Sequence, residues 1–162
     1  MLTQHQCPVS LLHLSSNLPV YSEVATVATI YQKDLQFFHV VLATPPDFLD
    51  SLAPLEANVA TLVDTTPRLL WLELSPSRVT MTIQGNSNFS YRHTWERGIY
   101  GISRYWLADS PTAQSGQFRL SNYTRSLVVQ GSPLPQFVRV EYELWANQVR
   151  LGDYVLNLQL FL

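Results

Sequence analysis

The feature that most constrains the fold of this chain is the two-residue alternation of apolar and polar side chains near its C-terminus. The segments Phe137–Ala146 and Asp153–Leu162 both show this alternation. Successive side chains of a β-strand point to opposite sides, so the pattern predicts strands with one buried face and one solvated face. The expected buried faces consist of Val138, Val140, Tyr142, Leu144, Tyr154, Leu156, Leu158, Leu160 and Leu162. A sheet is therefore the expected framework.

Earlier segments are also predicted to be strands, because they are rich in β-branched and aromatic residues. These segments are Val20–Gln32, Leu35–Ala43, Arg68–Leu74, Arg78–Gln84 and Gln117–Gln130, with turns predicted at Lys33-Asp34 and Ser75-Pro76-Ser77. The run Leu35–Ala43 is apolar almost throughout, which predicts a strand buried on both faces. Strands that follow one another through short turns pair with their neighbours, so an antiparallel meander is expected.

One segment departs from the strand pattern. Thr44 suits an N-cap, and Pro45 and Asp47 suit the first turn of a helix. Apolar residues then recur at spacings of three and four, although Pro54 interrupts the pattern. The apolar residues are Phe48, Leu52, Leu55, Val59 and Leu62. We therefore predict an α+β, mainly antiparallel β fold: a curved sheet or a lipocalin-like barrel with one short helical region at about residues 45–63.

Length and composition favour one domain. The chain has 162 residues, of which 46% are hydrophobic, and this is enough to bury a core without a disulfide or a metal ion. We predict a single domain over residues 1–162, with residues 1–10 forming a loose N-terminal arm. The one cysteine, Cys7, excludes an intramolecular disulfide, and its spacing from His5 and His13 fits no standard metal site. Neither a metal ion nor a cofactor is expected.

The charge balance argues against nucleic acid as a partner. The formal net charge is −2, whereas nucleic-acid binders are usually basic because phosphate contacts supply much of their affinity. No apolar run reaches the roughly 18 residues that a membrane-spanning helix needs. The first residues also lack the basic start of a signal peptide. A cytoplasmic protein without a transmembrane segment is therefore expected.

Five aromatic residues, three arginines and one histidine are concentrated in the stretch Tyr91–Trp106. The side-chain phase changes near Gly98, which predicts a β-bulge or a tight bend between two short strands at Gly98–Gly101. We predict that the stretch presents a ring-rich contact surface. The candidate partner- or ligand-binding residues are Tyr91, Arg92, His93, Trp95, Arg97, Tyr100, Arg104 and Trp106.

Three interpretations of this stretch stay open. Its rings can fill the core, with arginine stems lying over them. They can form a protein-binding surface, because Trp, Tyr and Arg dominate interaction hot spots. They can also line a barrel that holds a planar or apolar small molecule. In that case Trp95, Trp106 and Tyr100 are the lining residues, and Arg97 or Arg104 binds a carboxylate.

Catalytic motifs are scarce. The sequence contains no Gly-x-Ser-x-Gly, no phosphate-binding glycine loop, no His-Glu-x-x-His and no Cys-x-x-Cys. His93, close to Glu96 in sequence, is the one place where a general base can be argued. We therefore assign no catalytic residue and predict a non-enzymatic role, with an enzyme that uses His93 and Glu96 as the alternative.

The C-terminal half carries a resemblance. The segments VRVEYELWANQVRLGDYVLNLQ and TWERGIYGISRYW resemble small β-rich proteins of cyanobacteria. The resemblance implies an accessory or assembly factor that binds a protein partner, with a role around the photosynthetic apparatus. Phycobiliprotein lyases are β-barrels of similar size, and they imply the alternative of a barrel that binds a pigment.

Overall fold

The structure, a computed structural model, describes residues 3–15, 21–44, 68–84, 89–107 and 116–162. The described residues contain ten strands and no helix. The strands are β1 (Thr3–Ser15), β2 (Tyr21–Asp34), β3 (Phe37–Thr44), β4 (Arg68–Leu74), β5 (Arg78–Gln84), β6 (Phe89–Glu96), β7 (Tyr100–Leu107), β8 (Gly116–Gln130), β9 (Phe137–Ala146) and β10 (Val149–Leu160). The predicted helical region at about residues 45–63 lies outside the described residues.

Each strand pairs antiparallel with the next one along the chain, and β1 also pairs with β10. The register between β1 and β10 runs from Val9 opposite Leu160 to Ser15 opposite Tyr154. This last pairing closes the sheet, so every described strand has two neighbours and no edge is left to pair with another chain. Of the two predicted architectures, the barrel is confirmed and the open curved sheet is wrong.

The N-terminal segment does not form the predicted loose arm. The sequence predicts a loose arm for residues 1–10, but Thr3–Ser10 belong to β1 and pair with β2. The side chains of Cys7, Val9 and Leu11 point into the core. The prediction is wrong because the pairing that fixes this segment comes from β2 and from β10 at the other end of the chain, which the local sequence does not show.

The third strand is buried on one face and not on two. The sequence predicts that Leu35–Ala43 is buried on both faces, but β3 buries Phe38, Val40, Leu42 and Thr44 and leaves the alternate side chains partly or fully exposed. A barrel wall is one layer thick, so each strand buries only its inner face. The preceding turn lies at Leu35-Gln36, two residues after the predicted Lys33-Asp34.

Several strand predictions are confirmed. The β4–β5 hairpin and β9 have the predicted limits. The alternation in β9 and β10 places the predicted apolar residues inside, except that Leu162 lies beyond the end of β10 and is exposed. The described part of the chain includes no helix with the length and apolar character that crossing a membrane requires.

The meander gives the barrel two different ends. One end, which we call the turn end, holds the connections β2–β3, β4–β5, β6–β7 and β8–β9. The structure describes all four of these connections. The other end, called the loop end, receives the β1–β2, β3–β4, β5–β6, β7–β8 and β9–β10 connections. The inner faces of all ten strands form one apolar core between these ends.

Candidate functional site inside the barrel

The ring-rich stretch Tyr91–Trp106 is divided between the inside and the outside of the barrel. It forms β6 and β7, joined by a tight turn in which Gly98 has a φ of 74° and donates a hydrogen bond to the carbonyl of Thr124, 2.8 Å away. A positive φ favours glycine because it has no Cβ. The bend predicted at Gly98 is therefore present, and it sets which side chains of the two strands face inward.

On β6, the inward-facing residues are Tyr91, His93 and Trp95, and all three are buried. On β7, Ser103 and Tyr105 face inward, whereas Tyr100 faces solvent with 64% of its surface exposed. The stretch does not present one continuous contact surface. Four of its six rings belong to the barrel interior, where they meet rings from β1, β9 and β10.

These interior rings form a continuous group that we call the ring cluster. The members of the ring cluster are His13, Tyr91, His93, Trp95, Tyr105, Tyr142 and Tyr154. Tyr142 is central, with ring centroids 5.0 Å from Trp95 and 5.4 Å from Tyr154. Aromatic rings at such distances attract each other beyond the area that they bury. The cluster therefore links β1, β6, β7, β9 and β10 across the inside of the barrel.

His93 is enclosed by rings on several sides. Its ring lies parallel to that of Trp95, with centroids 5.1 Å apart and an interplanar angle of 5°. Tyr91 and Tyr105 approach it edge-on at 5.2 Å and 5.6 Å. One nitrogen, Nδ1, lies 2.6 Å from the Ser103 hydroxyl oxygen. The imidazole is thus fixed in one orientation by stacking and by one hydrogen bond.

The hydrogen bonds around Ser103 favour one tautomer of His93. The Asn122 side-chain amide donates to the Ser103 hydroxyl oxygen at 2.9 Å. The Ser103 hydroxyl then has its own proton to donate, and His93 Nδ1 is the acceptor within reach. This arrangement uses both the proton and the oxygen of the Ser103 hydroxyl. It places the imidazole proton of His93 on Nε2.

His13, on β1, is the second buried histidine of the ring cluster. Its Nε2 lies 3.1 Å from the Tyr142 hydroxyl, and its ring stacks on Tyr154 at 5.4 Å with an interplanar angle of 7°. Burial lowers the pKa of both His13 and His93 to about 3, and the neighbouring His93 contributes to the shift at His13. Both imidazoles are therefore neutral at physiological pH.

The barrel interior is uncharged where the rings lie. The buried polar residues among the described ones are His13, Ser15, Thr44, Thr80, His93, Ser103, Asn122 and Thr124. Burial raises the pKa of Tyr142 well above its usual value, so this phenol is neutral too. Arg68, at the start of β4, has the inward parity of Leu70, and its Nε and Nη1 atoms are buried. The ring cluster itself contains no arginine, lysine, aspartate or glutamate.

Several buried polar atoms of the interior have no hydrogen-bond partner among the described residues. These atoms are His13 Nδ1, His93 Nε2, Trp95 Nε1, Asn122 Oδ1, Thr124 Oγ1 and Tyr154 Oη. Buried polar groups in folded proteins nearly always have a partner, which is either protein, ordered water or a ligand. Four of the six atoms belong to the ring cluster. The inside of the barrel is therefore the part of the described structure that most needs additional hydrogen-bonding groups.

The predicted arginines do not reach this interior. Arg92 lies on the outer face, with one guanidinium nitrogen 3.4 Å from a Glu73 carboxylate oxygen. Arg97 is at the turn end and donates to the Leu127 carbonyl at 2.7 Å. Arg104 alternates with the inward-facing Ser103 and Tyr105 and so lies on the outer face. The structure does not bring Trp95 together with any of these arginines inside the barrel.

The other predicted residues are also separated. His93 is inside, but Glu96 lies beyond it at the turn end, where it lines a surface pocket, so the structure does not pair the two as base and orienting group. That pocket has a volume of about 250 Å³ and is lined by Pro76, Ser77, Glu96, Arg97, Ile99 and Leu127. The backbone of Trp106 pairs with Gln117 and Ser90, while its side chain lies outside the described part.

A small apolar surface lies on the outside of β7 and β8. Ile99, Tyr100 and Ile102 are all about half exposed or more, and the ring of Tyr123 lies 4.9 Å from that of Tyr100. We call these four residues the outer patch. Of the predicted contact residues, the outer patch contains Tyr100.

Sequence reasoning misses much of the ring cluster. It places Tyr142 and Tyr154 correctly on inner faces but treats them only as core, and it leaves His13 among residues that form no site. Ser103 and Asn122 are not singled out. The available signal is alternation: each of the five falls on the inner face of its strand, and polar residues on inner faces are uncommon. Within the described residues, no group of three or more His, Cys, Asp or Glu side chains could hold a metal ion.

Fold and interior together define a closed ten-stranded antiparallel barrel with a ring-lined, uncharged centre in its described part. No protein-family model matches the chain, and no curated protein matches it either. Among solved structures, the ywiB protein from Bacillus subtilis is similar, with a TM-score of 0.59 and 12% sequence identity over 97% of this chain and 94% of that one. At this identity the similarity shows the shared fold alone.

Proposed function

We propose that this protein binds a small planar molecule inside its barrel, in contact with the ring cluster. The observation that carries the proposal is the group of buried polar atoms on His13, His93, Trp95 and Tyr154 that lack partners among the described residues. Leaving a buried donor or acceptor unsatisfied costs about 1–3 kcal/mol. A whole protein is stable by only about 5–15 kcal/mol, so partners for several such atoms would contribute a large share of the stability.

The chemistry of the lining favours a ligand over water alone. Ordered water suits polar sites with two to four partners in reach. Here the polar atoms are carried by flat rings that stack in pairs, His13 on Tyr154 and His93 on Trp95. Binding sites for small molecules are typically apolar and aromatic with a few placed polar groups. The ring cluster has this composition.

Native mass spectrometry tests the proposal directly. The protein is purified from its own source under gentle conditions, weighed intact, and then extracted with organic solvent to identify any released compound. We expect a bound small molecule. A chain that carries only water, shown by an unmodified intact mass and by internal water signals in NMR, would refute the proposal.

Two matched variants locate the site. Tyr142→Leu removes the central ring of the cluster, and Tyr100→Leu makes the same change on the outer patch. We expect Tyr142→Leu to lose the ligand and Tyr100→Leu to keep it, with circular dichroism confirming that both are folded. Equal retention in both variants would move the ligand away from the ring cluster.

A second candidate function is an accessory or assembly factor that binds a protein partner, and the outer patch favours it. Ile99, Tyr100 and Ile102 are exposed beside arginines, a combination that is enriched in protein interfaces. Ile102→Ser is the test, and Val27→Ser, on another exposed part of the barrel, is its control. In crosslinking within source cells, we expect the first variant to lose its partner and the second to keep it.

Other expectations remain proposals that rest on the sequence alone. A role around the photosynthetic apparatus rests on the resemblance to cyanobacterial proteins, and the cytoplasmic location and single-domain organisation rest on composition and length. An enzyme that uses His93 would need a partner other than Glu96, because the two side chains lie in different parts of the barrel.

A further inference from the structure

We propose that the part of the ligand that reaches the ring cluster is uncharged and carries a hydrogen-bond acceptor, such as a carbonyl or ring nitrogen, which binds His93 Nε2–H and Trp95 Nε1–H. This inference depends on the proposed function, because it names the class of molecule that the barrel interior selects. It departs from the expectation that an arginine would bind a carboxylate of the ligand.

The first step is the identity of the two groups as donors. The indole nitrogen of Trp95 is a donor in every state. We assign His93 Nε2 as a donor on the arrangement in which Ser103 accepts from Asn122 and gives its own proton to Nδ1. Both nitrogens are buried and lack a protein partner in the described structure. Two unsatisfied donors on adjacent rings require an acceptor.

The second step is the position of the donors. His93 and Trp95 are two residues apart on the inner face of β6, and their rings are parallel at 5.1 Å. Tyr142 contacts both rings, at 6.0 Å and 5.0 Å. The two N–H groups are therefore held in a fixed relation by rings that pack on several sides. A ligand can therefore satisfy both N–H groups only with an acceptor in the position that these groups set.

The charge of the ring cluster limits which acceptors can bind there. No member of the ring cluster is a cation, since the cluster contains no arginine or lysine and both of its imidazoles are neutral. Placing an anion in a low-dielectric interior without a counter-charge is strongly unfavourable. A carboxylate is therefore rejected at the level of His93 and Trp95, whereas a neutral acceptor forms the same hydrogen bonds without that penalty.

Three probes with the same fused ring system test this selection: fluorene, which has no acceptor, fluorenone, which adds one carbonyl in the ring plane, and fluorene-9-carboxylate, which adds a charged group out of that plane. Their affinities for the full-length protein are measured by quenching of tryptophan fluorescence. We expect fluorenone to bind about tenfold tighter than fluorene, as one buried hydrogen bond implies, and fluorene-9-carboxylate to bind most weakly.

Matched variants assign the preference to its donors. Trp95→Phe keeps a ring but removes the N–H group, and Trp71→Phe makes the same change on the outer face of β4. We expect the fluorenone preference to fall in Trp95→Phe and to persist in Trp71→Phe. If Trp95→Phe does not fold, the wild-type comparison of the three probes still decides, and ¹⁵N NMR of the His93 ring tests the tautomer without any substitution.

The outcomes separate this inference from the proposed function. If all three probes bind with equal affinity, or fluorene-9-carboxylate binds best, the barrel takes ligands but the donor assignment is wrong. A proton found on His93 Nδ1 would also overturn the inference. If no probe enters the barrel, the proposed function fails together with the inference.

Discussion

His93 and Trp95 lie with parallel rings, their centroids 5.1 Å apart, inside a barrel whose outer wall carries Tyr100, only five residues further along the chain. The pair shows how a short stretch can supply both the interior and the surface of a β-barrel. Alternation within β6 brings both rings inside, and the turn at Gly98 then starts β7, on which Tyr100 faces solvent. Several consequences of this arrangement can be measured.

Removing the inner and the outer ring should have very different effects on stability. Trp95→Ala should lower the free energy of unfolding by about 3–5 kcal/mol, because it leaves a cavity in a packed core. Tyr100→Ala should cost about 1 kcal/mol, mainly from its contact with Tyr123. Urea denaturation followed by circular dichroism provides both values. Equal losses would contradict the assignment of Trp95 to the core and Tyr100 to the surface.

Stability should depend on pH through the two buried histidines. His13 and His93 have pKa values of about 3 in the folded barrel against 6.5 in the unfolded chain. Between these pKa values the unfolded chain binds more protons than the folded barrel, so the free energy of unfolding falls as the pH falls from 6.5 toward 3. Above pH 6.5 the two histidines are neutral in both states, and their contribution no longer changes with pH. Each histidine contributes a slope of about 1.4 kcal/mol per pH unit in this window.

Urea midpoints measured from neutral pH downward test this dependence, with His93→Phe as the comparison. That variant retains only His13 as a buried titrating imidazole among the described residues, so its stability should decline less steeply with acid than that of the wild type. Parallel declines in the two proteins would show that His93 does not stay neutral on folding.

The thiol of Cys7 should be protected in the folded protein. Cys7 is buried on the inner face of β1, and burial raises its pKa, which keeps the thiol in its unreactive protonated form. We expect labelling by a thiol reagent to be slow in buffer and fast in denaturant. Fast labelling under native conditions would support the loose N-terminal arm that the sequence predicts.

Glycine at position 101 should be required for close packing. A Cβ there would collide with the backbone carbonyl of Thr94 and come within 2.9 Å of Asn122 Oδ1. Gly101→Ala should therefore destabilise the barrel by about 1–3 kcal/mol. Gly98→Asn is the control, because a Cβ at position 98 would have no atom within 4 Å and asparagine tolerates a positive φ. A smaller loss in thermal stability for Gly101→Ala than for Gly98→Asn would contradict this explanation.

Strand prediction succeeds where one face of a strand is polar and the other apolar. In β9 the alternation locates both limits and the inner face, because solvent and core impose opposite preferences on successive residues. It fails for β3, whose outer face carries Phe37 and Val41. A half-buried apolar side chain on the outer wall looks the same in sequence as one in the core.

The candidate site could be predicted only in part. The sequence points to His93 and Trp95 because they stand in a ring-rich stretch. It does not identify His13, Tyr142 and Tyr154 as their neighbours, since they come from β1, β9 and β10 and meet β6 only when the barrel closes. It also groups arginines of the same stretch with the rings, because proximity in sequence does not show on which side of the wall a side chain lies.

The sequence by itself determined that the chain forms antiparallel strands in a meander, because local alternation and short turns depend on neighbouring residues. Only the tertiary structure decided that the sheet closes, since closure depends on β1 pairing with β10 from the other end of the chain. Closure is also what excludes solvent from the inner face. It turns a histidine and a tryptophan on one strand into buried, neutral groups.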